Sequence, residues 1–327
     1  MRLNQVKRIM VLVLSLTFIF LLNSGENVFS AETQRVKVGI SAMTTAFLPL
    51  FVAKDKGFFK EEGLDVSLIF FKTGRESQQA IVSKDIDIAA GATTEPVYLR
   101  DADQDVRIIW GISDKMPYKL FALPSIKTLK DAKGKRFAVS GFGALTDFLT
   151  RYVLKHFGMD PETDVKILQV GSIPARYAAL KSGAVDVAIL DEPLITKAEK
   201  EGYSMILDLK DVLPEWQYEV FYVRKEDIPK HSEMLKNFLR AYQKGTVFTK
   251  KNKEESIKIN MAALGFNRED AEIGYNFFVP SFRDDGTLAT KGIEIMVESD
   301  FKAGNIKKQQ SLNELVDNTF IDFFKKK

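Results

Sequence analysis

From Val36 to Val66 the chain reads VKVGISAMTTAFLPLFVAKDKGFFKEEGLDV, and the architecture expected of the remainder follows from this run. Val36, Val38 and Ile40 alternate with Lys37 and Gly39, the period of a short strand. Ser41 to Thr45 is small and polar, and offers Thr44 or Thr45 as the N-cap of a helix beginning near Ala46. Pro49 suits that helix's first turn. Gly57 is a C-terminal stop, and Gly63 turns the chain into a second strand, Leu64 to Phe71. A helix whose first amides face a hydroxyl-bearing loop at a strand end is a place to hold a small polar or anionic group. An ordinary capped helix reads the same way.

The pattern then repeats. Lys72-Thr73-Gly74-Arg75 leads into a helix near Glu76 to Ser83, and a strand Ile86 to Ala90 ends at Gly91-Ala92-Thr93-Thr94. Further on come a strand Arg136–Val139, a loop Ser140-Gly141-Phe142-Gly143 and a helix from Ala144 to about Phe157. A strand Val165–Val170, a loop Gly171 to Pro174, a helix Ala175–Ser182 and a strand Val185–Ile189 complete this unit. Ser41 stands 46 residues before Asp87, and Ser140 stands 46 before Asp186. Equal spacing, with Asp-Ile-Ala answering Asp-Val-Ala, indicates one supersecondary unit used twice. Two extended segments, Ile112 to about Leu123 and Gln217 to Val223, read as crossovers between the two units, a hinge that bends easily. After Ile228 the chain is helical and amphipathic, with Met234, Leu235, Phe238, Leu239 and Tyr242 on one stripe. Those helices are expected to pack on the first unit.

The string Lys56-Gly57-Phe58-Phe59-Lys60-Glu61-Glu62-Gly63-Leu64-Asp65-Val66, placed after a strand and a Ser/Thr loop, resembles the hallmark of class II periplasmic solute-binding proteins. These feed nitrate, sulfonate and thiamine-precursor importers. The resemblance runs from about Val36 to Ile228 and more loosely to the end. It implies an α/β protein of two doubly wound lobes joined by a two-strand hinge. The expected division is 1–30 as signal peptide, 31–117 as the first part of lobe 1, 118–220 as lobe 2 with crossovers at both ends, and 221–327 as the return to lobe 1. It further implies a small-molecule solute, an ABC permease with its ATPase as partners, and a monomer.

The N-terminus fits that setting. Arg2, Lys7 and Arg8 precede an uncharged apolar run, Ile9 to Leu22, short for a membrane span and suited to the core of a secretory signal. Val28-Phe29-Ser30 before Ala31 places cleavage after Ser30. The chain has no cysteine, which excludes lipidation through cysteine, disulfides and thiolate chemistry. A free periplasmic protein is the expectation. With residues 1–30 removed, 44 Lys and Arg face 43 Asp and Glu, a near-neutral balance that argues against nucleic acid as a partner.

Catalytic signatures are scarce. His156 and His231 are the two histidines, each isolated, and there is no His-Glu-x-x-His, Gly-x-Ser-x-Gly or Walker loop. Gly141-Phe142-Gly143 is half a dinucleotide fingerprint, but Thr146 stands where the third glycine belongs. No cofactor and no metal are expected. In doubly wound sheets ligands bind beyond the carboxyl ends of the strands, and the candidate ligand-binding residues are drawn from those loops. They are Thr44, Thr45, Phe47, Thr73, Gly74 and Thr93 from the first unit, and Gly141, Phe142, Gly143, Ser172, Asp191 and Glu192 from the second. Arg176 near Gly171 could pair with an anion or face solvent. An anion would be held by backbone amides and hydroxyls; an amine or aminopyrimidine by Asp147, Asp191, Glu192 or Glu219. The residues leave both open. The resemblance also admits a synthase of the thiamine pyrimidine, which uses a metal and histidine, and a periplasmic sensory lobe. Two isolated histidines, no cysteine and an export signal speak against the synthase; a permease and ATPase encoded nearby, as against a kinase, would separate transport from sensing.

Overall fold

The structure, a computed structural model, describes residues 33–325; the expected signal segment lies outside them. Among the described residues there are ten strands: β1 (Gln34–Ile40), β2 (Leu64–Phe70), β3 (Ile88–Ala92), β4 (Val106–Ser113), β5 (Lys119–Ala122), β6 (Arg136–Val139), β7 (Lys166–Gln169), β8 (Val187–Leu190), β9 (Ser204–Asp208) and β10 (Glu219–Arg224). They form two five-stranded sheets, ordered β2-β1-β3-β10-β4 and β7-β6-β8-β5-β9. Helices accompany both, so the fold is two α/β lobes.

The two sheets are built alike. In each, the three strands of the repeated unit pair in parallel. The fourth place is filled by an antiparallel strand that has just arrived from the other lobe, β10 in the first sheet and β5 in the second. Corresponding acids do corresponding work. Asp87 Oδ2 accepts the Lys37 N–H at 2.7 Å, and Asp186 Oδ2 accepts the Arg136 N–H at 2.8 Å. Each acid also donates its own N–H to the same residue's carbonyl. These ties fix the register of β1 and β6 against the chain entering β3 and β8, where a slip would turn the buried side chains outward.

Element boundaries follow local chemistry. The helix expected from Ala46 is broken: Thr45–Phe47 forms a 3₁₀ turn capped by Thr44, and the α-helix runs Leu48–Asp55. Pro49 lacks the N–H that would continue one ladder through both. The helices Gly74–Val82 and Ile173–Lys181 begin directly after caps from Thr73 and Ser172, slightly earlier than the expected starts.

The Lys56–Val66 hallmark is a structural staple. Gly57 adopts φ +77°, a conformation costly for residues with a Cβ, and turns the chain into the short helix Phe58–Glu61. Phe59 then stacks on Phe238 at 5.2 Å between ring centres. Glu62 takes Arg240 and Lys244, and Lys56 pairs with Glu255. Each contact ties the first lobe to helices Ser232–Lys251 and Lys253–Leu264, so the C-terminal helices pack on the first sheet's helices.

The chain crosses between lobes at residues 114–118 and 209–218. Tyr118 and Tyr218, each one residue before its lobe's antiparallel strand, meet edge to face, their hydroxyls 3.2 Å apart. The Gln217 amide donates to the carbonyls of Ser113 and Glu219, tying the strands of the crossing together.

Candidate functional site

Between the lobes lies a cavity of about 230 Å³. Loops at the carboxyl ends of strands from both sheets wall it. Three helix starts reach it: Thr73 and Gly74, then Ala144 to Thr146, then Ser172 to Pro174. Helix N-termini carry unsatisfied amides and partial positive charge. Met43, Phe70, Phe71, Leu145 and Ile173 supply an apolar wall, while Glu95, Glu219, Arg176, Tyr118 and Tyr218 supply the polar one.

Glu95 comes from the first turn of helix Thr94–Asp101 and is buried. Its Oε1 accepts the Ala92 N–H at 3.2 Å and its Oε2 accepts the Tyr222 hydroxyl at 2.8 Å. Two glycines make its space. A Cβ at Gly91 would stand 2.4 Å from Glu95 Oε2, and one at Gly74 would stand 2.5 Å from Oε1. Burial pushes the Glu95 carboxyl up to about 7, against the pull of Tyr222, Ser41 and the Ala92 amide.

Glu219 opens β10 immediately after the crossover, and its Oε2 has no hydrogen-bond partner. Burial raises its carboxyl well above the ordinary range, the charges of Glu95 and Asp191 raise it further, and Tyr218 opposes them. Two buried carboxyls on one dry wall favour the protonated form over ionising together.

Arg176 faces them from the second lobe. Its position on helix Ile173–Lys181 is among the buried residues Ile173, Tyr177 and Leu180. Its Nε donates to the Ile189 carbonyl at 2.9 Å and its Nη1 to the Gly171 carbonyl at 2.7 Å, while Nη2 has no partner. Burial lowers its proton affinity, and the Tyr118 hydroxyl and Asp191 restore part of it. Asp191 is itself buried with Oδ2 unpartnered; burial lifts its carboxyl to about 7 against Arg176.

Of the residues anticipated from sequence, Thr73, Gly74 and Ser172 are brought together on the cavity wall. The others stand elsewhere. Thr44 Oγ1 accepts the Ala46 N–H as a cap, Thr45 Oγ1 accepts from the Asn260 amide at 3.0 Å, and Phe47 is in the core. Thr93 Oγ1 donates to the Gln217 carbonyl at 2.8 Å, bracing the crossover. Gly141 accepts the Ala144 N–H. Gly143 donates to Asp147 at 3.0 Å and, with the 46% exposed Phe142, lines a second groove against helix Gly74–Val82. Asp191 stands beside Arg176, and Glu192 takes the N–H and hydroxyl of Thr196, starting helix Leu194–Lys200. Glu95, Tyr118 and Tyr218 were absent from the anticipated site, and Arg176 and Glu219 stood outside its main set. The available signal was charge at core-facing positions.

Among the described residues no group of three or more His, Asp or Glu stands where it could hold a metal ion. The arrangement suits enclosure: an apolar wall, helix starts from both lobes, and buried acidic and basic groups.

Comparison with known proteins agrees with this architecture. The model of the family described as NMT1/THI5 like matches residues 44–256. The chain is 25% identical over 228 residues to the putative binding protein YtlA of Bacillus subtilis, covering 68% of each. It is 23% identical over 318 residues to a putative aliphatic sulfonates-binding protein of the same organism, covering 95% of each. The crystal structure of the periplasmic nitrate-binding protein NrtA from Synechocystis PCC 6803 superposes with a TM-score of 0.74 at 18% identity, over 90% of this chain and 89% of that one.

Proposed function

The chain belongs to the NMT1/THI5-like family, and on that premise we propose that it is the solute-binding component of an ABC importer, capturing a small organic anion between its two lobes. The observation that carries this reading is the interlobe cavity, walled by three helix starts and by Arg176. Helix N-termini and a guanidinium are what a sulfonate or carboxylate requires. The ligand set is Thr73, Gly74 and Ser172 with Arg176, Tyr118 and Tyr218. Delivery is to a membrane permease with its ATPase. Export through the N-terminal signal and action in the periplasm, as a monomer and without catalysis, complete the reading.

A second reading, an aminopyrimidine or other amine as cargo, draws support from the buried Glu95 and Glu219 on the same wall. Thermal-shift titration of the mature protein separates the two. Alkanesulfonates, carboxylates and nitrate are compared with pyrimidines and simple amines. A ligand present at 100 times its Kd adds about 2.7 kcal/mol of stability, a shift of several degrees in Tm. Stabilisation by an organic anion supports the first reading. Stabilisation by neutral pyrimidines or simple amines alone replaces it with the second.

A further inference from the structure

Gly141-Phe142-Gly143 is a part of the anticipated site that the cavity leaves out. We propose that Phe142 is instead a closing contact, a ring that the second lobe seats on helix Gly74–Val82 of the first, holding the cleft shut without touching the solute. Its consequence for capture rests on the reading above; the seat itself belongs to the solute-free protein.

The loop is built to present the ring. Phe142 is 46% exposed, so the second lobe's own packing does not call for a large apolar side chain there. Yet the loop is tied down along its length. The Ser140 N–H donates to Thr146 Oγ1 at 2.8 Å, and the Phe142 N–H to Gln169 Oε1 at 3.3 Å. The Gly143 N–H donates to Asp147 Oδ2 at 3.0 Å, and the Ala144 N–H to the Gly141 carbonyl at 3.2 Å. Asp147 is held in turn by Arg151 Nε at 2.8 Å. Gly143 takes φ +74°, which a residue with a Cβ adopts only at a cost.

A single exposed ring is ordinary; this one is set apart by what it faces. Arg75, Gln78, Gln79 and Val82 recur at i, i+3, i+4 and i+7, one stripe of helix Gly74–Val82. With Tyr98 and Leu99 they wall a groove of about 430 Å³ whose other side is Phe142 and Gly143. Val82 is 39% exposed, and Arg75 has no ion pair or hydrogen-bond partner among the described residues. The stripe thus offers an aliphatic contact and an uncommitted guanidinium to an aromatic ring. Tyr98 registers how near the second lobe is. Burial and then Asp300 raise its hydroxyl, and the charges of Asp147 and Arg151 act on it in opposite senses. The lobes already touch where Lys197 meets Asp270 and Lys200 meets Glu269, whereas this groove stands open, so it is the space that further closure takes up. A contact made only on closing stabilises the shut state for every solute alike; it slows release without selecting among solutes.

The test uses the mature chain without solute. Because the sequence has no cysteine, spin labels on Ser67→Cys and Lys166→Cys, in the edge strands β2 and β7, report the interlobe distance by pulsed dipolar spectroscopy. Phe142→Ala should lower the closed-to-open ratio about two- to tenfold, the worth of one aromatic contact, with Tm unmoved. Val82→Ala should act in the same direction, and the double variant should fall short of the product of the singles, since both remove one contact. Phe142→Trp should keep the wild-type ratio. Distance distributions that coincide with wild type in every variant overturn the proposal, as does a double variant whose effect equals that product. Either failure leaves solute capture standing, and a protein that binds none of the anions tried above leaves the seat standing.

Discussion

Replacing Glu95 by Gln should make the ligand-free protein more stable at pH 8 and flatten its dependence on pH. The carboxyl is buried and lifted to about 7 from the ordinary 4.5. An acid whose folded value is raised contributes stability that is fully present below its unfolded value and lost as pH rises through the folded one. The interval of about 2.5 pH units, at about 1.4 kcal/mol each, gives a loss on the order of 3 kcal/mol between pH 4.5 and pH 8 from this residue. Glutamine keeps an acceptor for the Ala92 N–H or the Tyr222 hydroxyl, and never ionises. Urea denaturation at pH 5, 6, 7 and 8 measures the difference. Near pH 5 the two proteins should be of similar stability, and by pH 8 the variant should exceed wild type by a few kcal/mol. Asp191, also lifted to about 7, should leave the variant some residual slope. Parallel curves for the two proteins would refute the reasoning, since they would mean that Glu95 titrates alike in the folded and unfolded chains.

Phe59→Ala should cost about 3–5 kcal/mol in urea denaturation, because Phe59 is buried and stacked on Phe238. Ligand affinity of the folded variant should be unchanged, as that pair lies off the cavity wall. Lys197 with Asp270 and Lys200 with Glu269 bridge helix Leu194–Lys200 of the second lobe to helix Arg268–Phe278 of the first. Removing both lysines should raise Kd a few-fold at low salt and by less at 0.5 M salt, where the wild-type pairs are themselves screened.

Much of the architecture was legible because it rests on local chemistry. Alternation in Val36–Ile40 and the Asp87 and Asp186 spacing reported β1, β3, β6 and β8, and the same acids hold the register. The site was less legible. In Tyr218-Glu219-Val220-Phe221-Tyr222 the alternation tells which residues share a face. It cannot tell that both faces are covered, as they are for an interior strand between β3 and β4. Glu95 is an acid in a helix's first turn, a place the helix dipole explains; only the fold brings Gly74, Gly91 and Tyr222 around it. Arg176 did carry a signal, since Ile173 and Leu180 at i−3 and i+4 put it on the buried stripe. Thr44, Thr45 and Thr93 misled in the opposite direction. Hydroxyls in loops serve caps and crossovers as readily as ligands.

The position of Glu219 links binding to closure. It is the first residue of β10 after the chain leaves the second lobe, whereas Arg176 is anchored to the end of β8 through the Ile189 carbonyl. Bending at residues 114–118 and 209–218 therefore changes the distance between the two unpartnered groups. A solute shifts the open–closed balance only by what it gains on closing. Driving it from 1:99 to 99:1 takes about 5.5 kcal/mol. A hydrogen bond to a charged group contributes about 1.5–3 kcal/mol, so one such contact falls short and two, one from each lobe, reach the required range. A solute gripped from a single lobe would leave the cleft largely open, whereas one held by Thr73 and Gly74 of the first lobe and by Ser172 and Arg176 of the second would favour the shut state.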